Sequence, residues 1–151
     1  MVTRILQMVC LAVALVVSPT SGAAQSSNEA VRKVLDDYIG LYRADALERW
    51  RTLFLPSFVA AYTNDDGSVT TRTLDEFYER QRKLFATGRP IREELQNVRI
   101  VREGHLANVT ADFVLFDGNG KRPGRLMLLF IEERGTFKIH ALVFTYHLNR
   151  P

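Results

Sequence analysis

At Ile91 the hydrophobic period of this chain changes. Upstream, apolar residues recur mainly at helical spacing; downstream they alternate as strands do. Segments 91–102, 106–116, 125–132 and 136–147 are separated by turns at Gly104, Asp117-Gly118-Asn119-Gly120 and Arg134-Gly135. Such short connections exclude parallel crossovers, so the four segments are expected to form an antiparallel meander. In the first of them the apolar parity passes from Ile91 and Leu95 to Val98 and Ile100, which predicts a bulge near Gln96-Asn97. The last two are apolar on both sides, with Leu126, Leu128 and Phe130 against Met127, Leu129 and Ile131, then Ile139, Ala141 and Val143 against Leu142, Phe144 and Tyr146. One side can cover helices. The other is expected to form a homodimer interface through the outer sheet face.

The helices come first. Val31, Val34, Leu35, Tyr38, Leu41 and Tyr42 make one apolar stripe, and Asp45 opens a shorter helix carrying Leu47, Trp50, Leu53 and Phe54, stopped by Pro56. Ser26 with Glu29, Asp45 with Glu48, and Thr73 with Glu76 each set a capping oxygen three residues before an acid. The third helix presents Leu74, Phe77, Tyr78, Leu84 and Phe85, and ends at Thr87-Gly88 before Pro90. Between the second and third helices, 58–62 and 68–72 flank Asn64-Asp65-Asp66-Gly67 as a short hairpin. A sheet with so few helices to cover it must curl around them. The fold class is therefore α+β, a curved antiparallel sheet forming a cone around two to three N-terminal helices.

Residues 1–24 read differently. Arg4 supplies a positive start, residues 8–17 are uninterruptedly apolar, and Ser21-Gly22-Ala23-Ala24 offers a peptidase site after Ala24. The apolar run falls short of the ~20 residues of a spanning helix, so cleavage without a lasting membrane anchor is expected. The mature domain is then 25–151, a single unit exported to the periplasm or secreted. Cys10 is the sole cysteine and leaves with the signal, which excludes disulfide and thiol chemistry from the mature domain. The pI of 9.2 sounds basic, but the net charge is only +3. Arg72, Arg80, Arg82, Lys83, Arg89 and Arg92 are interleaved with Glu76, Glu79, Glu93 and Glu94, as on a solvated face. No aromatic residues alternate with them to stack bases, so nucleic acid is not an expected partner.

Helix, short helix, hairpin, helix and four antiparallel strands is the element order of the nuclear transport factor 2-like superfamily, with its cystatin-like cone. The residues that carry the likeness are Tyr42-Arg43-Ala44-Asp45, the stretch 50–58, the Asp66-Gly67 hairpin, 73–78, and Gly135-Thr136-Phe137-Lys138-Ile139. The chain resembles the SnoaL-like and related exported members of unassigned function, over essentially its whole mature length. This resemblance implies a conical shell with a pocket between sheet and helices. Enzymes of the superfamily (ketosteroid isomerases, polyketide cyclases, some dehydratases and epoxide hydrolases) place an Asp, His or Tyr in that pocket. Other members bind ligands or pair with a partner domain.

Candidate chemistry follows from parity. His140 shares its parity with Leu142, Phe144 and Tyr146; if that side faces the cone, it is the general-base candidate, and if not, an interface residue. Asp112 is the carboxylate in mid-strand among apolar neighbours, where desolvation would raise its pKa, although Asn108 and Thr110 share its parity and argue for the solvated side. His105 follows Gly104 in a turn, His147 lies near the C-terminus, and helix capping accounts for Asp45. Tyr38, Tyr42, Trp50, Phe54, Tyr62, Phe113 and Phe144 are the expected pocket aromatics, with Tyr38 or Tyr62 as hydrogen-bond donor. No metal-ligand spacing, phosphate loop or nucleophile elbow occurs, so neither a metal nor a cofactor is expected. Three functions stay open, the first two being a module that binds a small apolar molecule or a partner domain and a cofactor-independent acid–base enzyme of the isomerase, polyketide-cyclase or dehydratase type. A purely structural role through the two-sided sheet is the third.

Overall fold

The computed structural model describes residues 21–147, with side chains from Asn28 onward. Residues 1–20 of the expected export signal lie outside the described residues. Helix α1 (Ser21–Gly40) leads through a 3-10 turn (Ala44–Ala46) into the five-residue α2 (Leu47–Arg51). Strands β1 (Phe54–Thr63) and β2 (Val69–Thr73) precede α3 (Leu74–Phe85). The chain closes with β3 (Ile91–Glu103), β4 (Leu106–Asp117), β5 (Gly120–Glu133) and β6 (Thr136–Tyr146). The six strands form one sheet in the order β2-β1-β6-β5-β4-β3. The 91–147 meander is antiparallel throughout, as expected. β1 joins it alongside β6 in parallel, which places the early hairpin at the sheet's far edge.

One of the three expected helix caps forms. Thr73 does cap α3 through a complete capping box with Glu76. The other two pairs do not cap: α1 is already helical five residues before Ser26, and the short helices begin behind Arg43 and Ala46 with no side-chain cap. Asp45 instead pairs with Arg43 at 3.1 Å, and Glu48 accepts a 2.5 Å bond from the Tyr78 hydroxyl. Helix α2 ends at Arg51, before Pro56, because Phe54 is taken into the sheet opposite Ile139 and the Ile139 N–H donates to the Leu53 carbonyl at 2.9 Å. Strand pairing outcompetes another turn of helix there.

The expected bulge is present. The β3–β4 register slips between Gln96 and Arg99, with Asn97 at a positive φ of 52°. A second irregularity falls in β6, where Ala141 pairs with Leu129 and Ile139 with Phe130, leaving His140 without an opposite residue. Both re-aim side chains by half a pleat.

The core sits between the sheet's inner side and the helices. Trp50 is fully buried and its indole N–H donates to the Tyr38 carbonyl at 3.0 Å, satisfying an acceptor at the end of α1. Around it pack Tyr38, Tyr42, Phe54 and Phe77, with ring centroids 4.6–5.8 Å from the indole. On the sheet's outer side Val59, Met127 and Val143 remain 44%, 44% and 50% exposed, beside half-buried Ala61, Leu129, Ile131 and Ala141. This is the face for which the sequence predicts a second copy.

Three inner cross-strand rows define the wall opposite the helices. Glu93, Leu115 and Arg122 make one; Leu95, Phe113, Gly124 and Tyr146 the next; Ala111, Leu126, Phe144 and Tyr62 the third. Gly124 is buried, and a Cβ there would stand 2.4 Å from both the Phe113 ring and the Thr145 carbonyl oxygen. The missing side chain lets the Phe113 ring lie across the sheet and meet Tyr146 edge-on at 5.5 Å. Gly124→Ala is expected to lower the urea unfolding free energy by about 1–3 kcal/mol, the usual penalty of overpacking. An unchanged midpoint would show that Phe113 yields freely.

Candidate functional site

The concavity of the sheet leaves a cavity of about 700 Å³ between its three inner rows and the faces of α1 and α3. Tyr38 reaches it from α1, Tyr42 from the link that follows α1, Phe77, Gln81 and Leu84 from α3, and Phe113, Leu126, Leu142, Phe144 and Tyr146 from the strands. These apolar and aromatic groups share the lining with charged ones, Arg72, Asp75, Glu76, Glu79, Arg80, Lys83, Glu93 and Arg122, so the cavity offers both a greasy wall and polar contacts.

The carboxyl of Glu93 is the chemically distinctive group. Glu93 shares its side of β3 with Ile91 and Leu95 and sits opposite the buried Leu115. The residue is half-buried because the cavity opens onto it, yet it is sunk inside the shell. Desolvation pushes its pKa from the ordinary 4.5 up to about 7, and only a long 3.5 Å hydrogen bond from the Tyr38 hydroxyl offsets this. Burial, then the charge of Glu93, holds the Tyr38 and Tyr42 hydroxyls protonated, well above the usual phenol range. Tyr42 donates to the side-chain carbonyl of buried Gln81 at 2.7 Å, which fixes the orientation of that amide. Burial also raises Tyr146, against the opposing charge of Arg122, whose guanidinium lies 4.8 Å over its ring. A carboxyl poised to change charge near neutrality, beside neutral phenols in an apolar cavity, has what proton transfer to or from an organic molecule requires.

The structure distributes the sequence-derived candidates unevenly. Tyr38, Tyr42, Phe113 and Phe144 line the cavity together. Trp50 and Phe54 lie behind them in the core, committed to packing, and Tyr62 stands beside the cavity, its ring stacked on Phe144 at 5.1 Å. Neither acid–base candidate lines the cavity. The β6 bulge takes His140 off the parity of Leu142, and its Nδ1 lies 3.3 Å from the Ser57 hydroxyl among exposed groups. Asp112 is on the outer side, held by Asn97 at 2.7 Å and Arg125 at 3.5 Å. His105 is exposed beside Glu132, and His147 is exposed.

Glu93 was hidden by its neighbours in sequence. Counted among alternating charges it reads as surface, yet its parity with Ile91 and Leu95 is a signal that puts it inside. Gln81 sits on the apolar side of α3, three residues after Tyr78 and four after Phe77. Arg122 belongs to a strand expected to start at 125 and in fact starting at Gly120. Among the described residues, no group of three or more His, Cys, Asp or Glu side chains is placed to hold a metal ion, and no helix is long and apolar enough to cross a membrane.

A half-open cone of helices and curved sheet, with its cavity between them, is the nuclear transport factor 2-like architecture. The family model for the SnoaL-like domain matches residues 31–146, and the chain belongs to that family. Among solved structures, a nuclear transport factor 2-like protein with a cystatin-like fold from Novosphingobium aromaticivorans superposes with a TM-score of 0.68 at 15% identity, covering 89% of this chain and 94% of that one. A protein from the same organism with the working name scytalone dehydratase gives 0.69 at 14% identity over 85% and 89%. An uncharacterised Caulobacter vibrioides protein with a cystatin-like fold gives 0.65 at 16% over 82% and 92%. At these identities the likeness is one of fold. No curated protein matches the sequence.

A carboxyl with a raised native pKa binds more protons folded than unfolded between its two values. Its contribution to stability is full below about 4.5 and declines as pH rises through about 7. The melting temperature of the wild type is therefore expected to fall between about pH 5 and about pH 8 relative to Glu93→Gln, which lacks the titration. Parallel melting curves for the two proteins across that range would refute the assignment.

Proposed function

We propose that this domain binds a small, predominantly apolar organic molecule in the cone and exchanges a proton with it through Glu93, as an acid–base enzyme of the isomerase, cyclase or dehydratase kind. The observation that carries this reading is the Glu93 carboxyl, set in the cavity wall beside the Tyr38 hydroxyl with no cation paired to it among the described residues. As carboxylate it can take a proton from carbon next to a carbonyl. Once Glu93 holds that proton, the Tyr38 hydroxyl is released from donating to it and can donate to the oxygen on which charge then develops, while Tyr42 keeps its bond to Gln81. Binding alone, without chemistry, would ask for no ionisable group at this depth, and burying one costs stability.

The test is deuterium incorporation into an apolar bicyclic ketone such as 2-tetralone in heavy water, followed by proton NMR. Exchange at the α-carbon is expected to exceed the buffer rate, to rise through about pH 7, and to drop about 100-fold or more in Glu93→Gln while the ketone still binds. Binding without exchange would leave a ligand carrier, and absence of both would overturn the reading.

Two further parts of the proposal concern assembly and place. The apolar outer face of β1, β5 and β6 supports a homodimer, and residues 1–24 have the composition of an export signal. Sedimentation at micromolar concentration is expected to show a dimer that Val143→Lys dissociates. A monomeric wild type would sink the dimer.

A further inference from the structure

We infer that the ligand of this cavity is an amphipathic anion, an apolar body ending in a carboxylate, sulfonate or phosphate group held at the mouth by Arg72, Arg80 and Arg122. The inference rests on the reading of the cavity as a ligand site and adds the chemical class of the ligand.

Three observations support it. First, the arginines line the same cavity from three elements: Arg72 from β2, Arg80 from α3 and Arg122 from β5. Arg72 lies opposite buried Ala60 and Arg122 opposite buried Leu115, so both strands aim them at the concave side. An aromatic rim joins them. Arg72 donates to the Tyr62 hydroxyl at 2.9 Å, Tyr62 stacks on Phe144, Phe144 meets Tyr146 at 5.6 Å, and Arg122 covers Tyr146.

Second, the charges at the mouth are unevenly committed. The carboxylates there already have partners: Asp75 pairs with Arg51, Glu76 accepts from the Thr73 N–H at 2.8 Å, and Glu79 is bidentate to Arg82 at 2.8–3.0 Å. Arg72, Arg80 and Arg122 make no ion pair with a carboxylate among the described residues. Asp75 and Glu79 are turned to other bases and Glu76 to the Thr73 cap, which leaves the three guanidiniums without a carboxylate partner. A ligand anion would supply one, and the planar guanidinium fork suits oxyanions of this type.

Third, the Nε–H of Arg72 is buried without any hydrogen-bond partner. A buried charged donor left unsatisfied is costly, and occupancy of the cavity by an oxyanion is the event that would satisfy it. Glu93 and Arg122 flank Leu115 in one cross-strand row, so their backbones lie two strand spacings apart, roughly 10 Å.

Two fluorescent probes with the same apolar body separate the charge from the pocket: 1-anilinonaphthalene-8-sulfonate and its uncharged parent N-phenyl-1-naphthylamine. The sulfonate is expected to bind about ten-fold or more tightly, an advantage that shrinks as salt is raised. Arg80→Gln with Arg122→Gln should bring it down to the affinity of the neutral probe, whose own binding stays unchanged. Equal affinities in the wild type, with both probes bound, would overturn the anion and leave the pocket standing. Failure of both probes to bind would overturn the pocket with it. Loss of sulfonate binding in Val143→Lys on the outer face, but not in the arginine variants, would place the probe outside the cone and refute the inference.

Discussion

The indole of Trp50 is the piece on which this architecture depends. It sits on a helix of only five residues, too short to hold itself by backbone bonds alone. The hydrogen bond to the Tyr38 carbonyl fastens that helix to the end of α1, and the rings of Tyr42 in the following link, Phe54 on β1 and Phe77 on α3 close on it. Trp50 is fully buried, and Tyr38, Tyr42 and Phe77 pack one side against it and turn the other to the cavity. The cavity exists because the core stops there.

That arrangement explains how an ionisable group comes to be retained inside. Glu93 is carried on a strand between Ile91 and Leu95 on its inner side and opposite buried Leu115, so the pairing of β3 with β4 sets it in the cavity wall. Arg102 and Glu132 show the contrasting use of charge, a partly buried ion pair at 3.1 Å near Phe137 whose role is packing. Glu93 has a phenol where Arg102 has a carboxylate. The difference is between a charge that is neutralised and one that is kept free to change.

Much of the architecture was legible in the chain. The antiparallel meander, the bulge at Asn97 and the Thr73–Glu76 cap all follow from contacts within a few residues and appear where period and turn chemistry put them, although β5 starts at Gly120 rather than 125 and β1 at Phe54 rather than 58. The candidate site was legible only in part. Tyr38, Tyr42, Phe113 and Phe144 line the cavity because each shares a parity or stripe with core residues. His140 does not, since a single extra residue in β6 moves it off the parity of Leu142, and nothing in 136–147 marks that extra residue. Asp45 and Glu48 look like a cap and are not one, because Arg43 and Tyr78 compete for their carboxylates.

By itself, then, the sequence determined which segments alternate, where they turn and which of their faces are greasy, because those properties depend on neighbours two to four residues away. Tertiary structure alone decided that β1 runs beside β6 and that β5 reaches back to Arg122. It also decided that Glu93, one acid among several, is the one brought against Tyr38. Desolvation is the physical reason. A carboxyl acquires its chemistry from what surrounds it in space, and those surroundings are drawn from elements as much as 55 residues away along the chain.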